Sequence, residues 1–205
     1  PIEKIELSEI KEGDADDTHY KDIYPAKNKG PRFYRTLKES YGGEAELGLK
    51  HFLQAYLACI AFVDEQIGTV VDAVNNSEFK DNTIIVLVSD HGWQMGEKEY
   101  LFKNSPWEES TRIPYIIKTP ECKSGEKVNH PVSLIDIFPT LTDLCGLTGD
   151  NRKNEVGGNI GGFSLKPFLK NTKTKNWDGP NGALTIVGNG LNQKEVLKQT
   201  YSYRT

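Results

Sequence analysis

Thr83-Ile84-Ile85-Val86-Leu87-Val88-Ser89-Asp90-His91-Gly92 is the stretch on which the fold turns. Thr83–Val88 is continuously apolar or β-branched, which suits a strand buried on both faces in a sheet flanked by helices. Two groups able to bind metals, a carboxylate and an imidazole, follow at its carboxyl end. Ligands collect at that edge in open α/β sheets. Gly92 then lets the backbone turn closely. Two readings stay open from these residues alone. Asp90 and His91 are a pair of metal ligands, or Asp90 caps the next helix with a hydrogen-bonded His91 beside it.

Upstream, Leu53, Tyr56, Leu57, Ile60, Val63, Ile67, Val70, Val71 and Val74 recur at three- and four-residue steps. They predict a long amphipathic helix over 44–74 with one buried face, packed along a large sheet. Asn75-Asn76-Ser77 ends it. Residues 1–42 are charged and rich in turn formers, and read as surface loop, Pro25–Pro31 included. Downstream, Gly96-Glu97-Lys98 marks a turn. Ile113–Lys118 reads as a second inner strand, with Pro114 near its start where a missing donor is tolerated. Ser133–Gly146 reads as a short helix capped by Ser133 with Asp136 three residues on, terminated at Gly146, with Pro139 in its first turns. Residues 149–162 form a Gly- and Asn-rich loop and 170–181 a polar linker. Ala183–Val187 and Gln199–Tyr203 read as two strands of a smaller lobe. The architecture expected is therefore α/β.

Composition narrows the function. The 205 residues suffice for a real core, and the net charge of −4 gives no basic footprint for nucleic acid. Any anionic substrate has to be held by local cations. No apolar run approaches the roughly 18 residues that span a bilayer. The three cysteines, Cys59, Cys122 and Cys145, have no metal-ligand spacing and read as ordinary buried or half-buried thiols; their odd number excludes full internal pairing. The chain starts at Pro1, its one Met is Met95, and Tyr201–Thr205 alternates like a cut strand, so it reads as a piece of a longer protein.

Several segments in order resemble one family. The run DNTIIVLVSDHGWQMGEKEYLFKNSPWEESTRIPYIIKTP, residues 81–120, resembles the second signature region of sulfatases in the alkaline-phosphatase superfamily. It is closest in style to iduronate-sulfatase-like enzymes and to bacterial sulfatases of polysaccharides. FVDEQIGTVVDAV at 62–74, VSLIDIFPTLTDLCGL at 132–147, GFSLKPFL at 162–169 and the terminal YSYRT resemble the family's neighbouring segments. The resemblance implies a large alkaline-phosphatase-like sheet sandwiched by helices, with part of a smaller C-terminal α+β lobe. Residues 1–150 then belong to the catalytic domain, and 151–205 are a linker and the start of the lobe. It further implies hydrolysis of sulfate esters of a carbohydrate, with Asp90 and His91 binding one divalent cation and Lys103 contacting the substrate sulfate. Such a Lys can stabilise charge developing on an anionic oxygen.

The resemblance implies calcium, although calcium favours all-oxygen sites and an Asp–His pair alone suits zinc or manganese. The family's nucleophile, a formylglycine made within a Cys/Ser-x-Pro/Ala-x-Arg motif, has no counterpart here and is expected in upstream sequence, as are further aspartate ligands. Asp16-Asp17 lies in the wrong part of the chain to supply them. The same residues leave two other functions open: a metal-dependent phosphatase or phosphodiesterase of the superfamily, and a non-catalytic piece of the fold. His130 alone follows His91, which disfavours a two-metal site. Family habit implies a periplasmic, extracellular or lysosomal location.

Weaker candidates surround the site. Trp93 and Trp107 either stack on a sugar ring or pack in the core. Arg112 either binds a sulfate or pairs with Glu108 or Glu109. His51 reads as a surface or helix-packing residue, and His130 as a loop residue before Pro131, where a substrate role is open but not favoured.

Overall fold

The computed structural model describes residues 1–11, 13–14, 16, 27–122, 125–149, 152, 154–188 and 199–205. Asp17 and His19 lie outside the described residues, as does the start of the loop expected over Pro25–Pro31. Two compact units emerge, Pro1–Ile116 and Ile117–Thr205.

The first unit opens with a departure from expectation. Residues read as surface loop contain helix α1 (Lys29–Ser40). Pro31 stands in its first turn, where no helical donor is needed. Gly30 is buried against the Tyr100 ring, which leaves no room for a Cβ there. Tyr41-Gly42-Gly43 turns the chain, with Gly42 and Gly43 at positive φ, into α2 (Ala45–Asn75). This is the predicted long helix, 31 residues or about 46 Å at the usual rise.

Its apolar face behaves otherwise than expected. Near the N-terminus Gly48 and Leu49 are buried, with Leu37 and Tyr41 packed against Gly48. Further along, Tyr56, Leu57, Ile60, Val63 and Val70 are exposed. The periodicity that makes a helix amphipathic is satisfied locally by backbone bonding. Burial of the stripe needs a covering layer, and none lies over it among the described residues.

Strand β1 (Ile85–Val88) is shorter than the apolar run and half-buried along its length, not buried on both faces. It forms a two-stranded sheet with β2 (Tyr115–Lys118), whose first half closes the unit. Between them the chain makes a compact excursion. Gly96 at φ +114° leads into a single 3-10 turn, with Lys98 and Glu99 also at positive φ. One helical turn, α3 (Glu108–Thr111), precedes β2. Leu49, Tyr100 and Leu101 are the most buried apolar residues of this unit.

In the second unit the predicted helix appears as a 3-10 turn, Leu134–Asp136, continuing into α4 (Ile137–Leu144). The Asp136 carboxylate reaches back to accept the Ser133 N–H at 2.7 Å, as a capping box does. Pro139 sits in the first turn of α4, and Gly146 at φ +62° lies just past its end. Asp136 is 3% exposed, and its other oxygen accepts the Phe163 N–H at 2.9 Å. Thr140 donates to the Asp136 carbonyl and accepts the Leu165 N–H, at 2.6 and 2.9 Å. These bonds lash residues 163–165 to α4 and lead into α5 (Lys166–Lys170). Trp177 closes over this segment, donating to the Ser164 carbonyl at 3.0 Å and packing against His130 and Phe168. The two lobe strands are present as β3 (Ala183–Val187) and β4 (Thr200–Arg204), antiparallel with Thr185 opposite Ser202.

All three cysteines are free thiols. Cys122 is half-buried as expected, but Cys59 and Cys145 are exposed. Cys59 shares the uncovered flank of α2, and Cys145 caps the end of α4.

Candidate active site

Asp90 projects from the end of β1 with its side chain 81% exposed, whereas the His91 side chain is 32% exposed. The turn carrying them is fixed by its own backbone. Ser89 Oγ donates to the His91 carbonyl at 2.7 Å. The Gly92 N–H donates to the Ser110 carbonyl at 2.9 Å. Gly92 is required here because a Cβ would collide with the Glu109 carbonyl oxygen.

His91 Nδ1 lies 2.8 Å from the Gly92 carbonyl. A carbonyl only accepts, so Nδ1 carries the proton and Nε2 presents its lone pair. That lone pair faces the other two predicted residues. Asp90 Oδ2 is 3.3 Å from Nε2, and Lys103 Nζ is 2.6 Å from it. Three residues up to thirteen positions apart thus converge on one point. Asp90 does not serve as a helix cap, since residues 90–95 are not helical.

A polar knot that sequence reasoning missed supports this convergence. Gln94 is fully buried. Its Nε2 donates to Glu109 Oε2 at 3.2 Å and to Ser105 Oγ at 3.4 Å. Ser105 Oγ donates in turn to Ser110 Oγ at 2.7 Å. The Ser105 N–H donates to the Lys103 carbonyl at 3.0 Å, and the Gln94 N–H to the Phe102 carbonyl at 3.1 Å. The knot thereby ties the backbone under Lys103 to the backbone under Gly92. The Gln94 amide nitrogen is paired, while its Oε1 is buried without a hydrogen-bond partner among the described residues; a lone Gln or Ser in the sequence does not signal such a set.

The remaining candidates sit elsewhere. Trp93 is half-buried between Phe52, ring centroids 6.3 Å apart, and Phe102 at 5.4 Å. Trp107 packs edge-on to Tyr100 at 5.6 Å, with Lys98 Nζ over its ring. Both tryptophans are placed as packing residues. Arg112 directs Nη1 to Glu108 Oε1 at 3.7 Å, an exposed i, i+4 pair. His51 stacks on Tyr41, centroids 5.2 Å apart.

As a cation site the donors are a carboxylate oxygen and an imidazole lone pair on one side of the turn, which suits two ligands of a divalent ion. They do not complete a shell. No group of three or more His, Cys, Asp or Glu able to hold a metal occurs among the described residues.

Comparison with known proteins decides the family. The Sulfatase family model matches residues 14–147. This chain belongs to the sulfatase family.

A sulfatase of Formosa agariphila is 42% identical over 123 residues, covering 60% of this chain and 24% of that protein. The sulfatase-family likeness extends to solved structures. BT4656, solved with its substrate D-glucosamine-2-N,6-O-disulfate, superposes with a TM-score of 0.65 at 30% identity, over 85% of this chain and 34% of its own. A phosphonate monoester hydrolase of Agrobacterium radiobacter superposes at 0.61 with 29% identity, over 75% of this chain and 29% of its own. The chain therefore spans about a quarter to a third of the length of these relatives. Their shared fold is the alkaline-phosphatase-like sheet flanked by helices, of which β1, β2 and α2 are a part. No helix among the described residues is long and apolar enough to cross a membrane.

Proposed function

We propose that the protein containing this sulfatase-family chain hydrolyses sulfate esters on a saccharide. The convergence of Asp90 Oδ2, His91 Nε2 and Lys103 Nζ carries the reading. Asp90 and His91 are assigned as two ligands of one divalent cation, calcium by family resemblance. Bound there, the cation supplies Lewis-acid neutralisation of an anionic ester oxygen. Asp90 holds the pair's negative charge in solvent reach. The Nδ1–H bond to Gly92 locks the His91 ring with Nε2 outward. The Lys103 ammonium leaves Nε2 for a sulfate oxygen and stabilises charge as it develops there. The formylglycine nucleophile and the other ligands are assigned to sequence outside this chain. Residues 1–150 are assigned to the catalytic domain and 151–205 to the linker and lobe, and the location to the periplasm, lysosome or cell exterior. Trp93 and Arg112 remain substrate-contact candidates whose observed partners are Phe52, Phe102 and Glu108.

The test is sulfate release by the full-length protein. Lys103→Ala and Asp90→Asn are each expected to lose about 10²–10³-fold in kcat/KM, the range seen when one stabilising donor is removed. Wild-type rates in both variants overturn these roles. The likeness to a phosphonate monoester hydrolase favours one second reading, hydrolysis of phosphonate or phosphate esters. Turnover of those esters in preference to sulfates establishes it instead.

A further inference from the structure

We propose that the exposed basic face of α1 is a second contact surface for a sulfated polysaccharide, holding the polymer beyond the ester that reaches Asp90, His91 and Lys103. The substrate class rests on the function proposed above; the surface itself rests on charge and placement.

Residues 27–38 contain Lys27, Lys29, Arg32, Arg35 and Lys38 and no Asp or Glu, in a chain whose net charge is −4. All five are exposed. The four on α1 recur every three residues. At 3.6 residues per turn they step around the helix by about 60° each and extend about 13 Å along it. They therefore form a slanting ribbon and not a single point of charge. Among the described residues, carboxylates near α1 do little to neutralise it. Glu39 lies 3.9 Å from Arg35 with both side chains half or more exposed. Glu99 faces Tyr34, whose hydroxyl is held above its ordinary pKa, first by burial and then by that carboxylate.

Placement ties the ribbon to the site. The Leu101 N–H donates to the Gly30 carbonyl at 3.2 Å. Phe33 meets Phe102 edge-on with centroids 5.7 Å apart, and Lys29 Nζ sits 5.5 Å from the Phe102 ring centre. Phe102 immediately precedes Lys103. The basic helix thus begins beside the residue assigned to the sulfate. An acidic chain that handles a polyanion needs a local concentration of cations, since its net charge works against it. This ribbon is such a concentration, and a repeating anion complements it.

The experiment uses the full-length protein and the triple variant Arg32→Gln/Arg35→Gln/Lys38→Gln, which changes only exposed side chains. Heparin chains serve as the probe for binding, and a small aryl sulfate as the probe for turnover. Three exposed ionic contacts, each worth a few-fold, predict about tenfold weaker heparin binding and a shallower fall of affinity with salt. Aryl sulfate turnover is expected to be unchanged. Equal heparin binding by wild type and variant, or no binding by wild type, overturns the surface. A wild type that binds heparin through these residues but releases no sulfate supports the surface and removes the catalytic reading, so the two fail separately.

Discussion

Asp90 and Asp136 are both aspartates at the edge of a regular element, and they are used in opposite ways. Asp136 is 3% exposed and both its oxygens accept backbone N–H groups, from Ser133 and Phe163. Asp90 is 81% exposed and its nearest cationic or imidazole partner is His91 at 3.3 Å. One carboxylate is consumed in fixing a turn. The other is left open to solvent on a turn fixed by different groups, namely Ser89, Gly92 and Ser110. A side chain held available for a ligand is one that the fold does not need.

That contrast can be broken by mutation. The largest effect expected is kinetic: Asp90→Asn lowers sulfate release about 10²–10³-fold and leaves the urea midpoint where it was. A large stability loss in that variant would make Asp90 a structural residue after all. Asp136→Ala does the reverse. It strips two part-buried N–H groups of a charged acceptor, at about 1–3 kcal/mol in total, seen as a lower denaturation midpoint. Gly92→Ala belongs to both classes, because the added Cβ meets the Glu109 carbonyl. About 1–3 kcal/mol of stability is expected to go with overpacking, and activity falls with it. The smallest effect is electrostatic. Lys166, then Ser164, hold the Asp143 carboxyl below its ordinary pKa. A depressed folded pKa means stability present above the unfolded value near 3.9 and lost as pH falls through the lower folded value. The pair is partly exposed, so solvent screening leaves a few tenths of a kcal/mol. Lys166→Met should lower stability by those few tenths at neutral pH, with the difference from wild type vanishing as pH falls below the folded pKa of Asp143.

The sequence made the open carboxylate easier to read than its support. A β-branched run ending in Asp-His is a local pattern, and so are Ser133 with Asp136 and the three- and four-step repeat of α2. Each is written within one element. Helix α1 was hidden because Gly30 and Pro31 read as a turn, although Pro31 in a first turn and Phe33, Tyr34 and Leu37 on one flank form a helical signal. The knot of Gln94, Ser105, Ser110 and Glu109 had no signature, since each residue alone is an ordinary surface type and the meaning lies in their pairing across the excursion. The tautomer of His91 depended on a single carbonyl next to it in the chain. The exposure of the α2 stripe followed from which layers are present, and periodicity does not record that.

Gly30 and Tyr100 carry a consequence for how such a chain diverges. The ring occupies the space that any side chain at position 30 would need. A larger residue there is tolerable only with a smaller one at 100, so the two positions should drift as a pair. Since Gly30 lies in the first turn of α1 and Tyr100 three residues before Lys103, that covariation would tie the basic helix to the segment that carries Lys103.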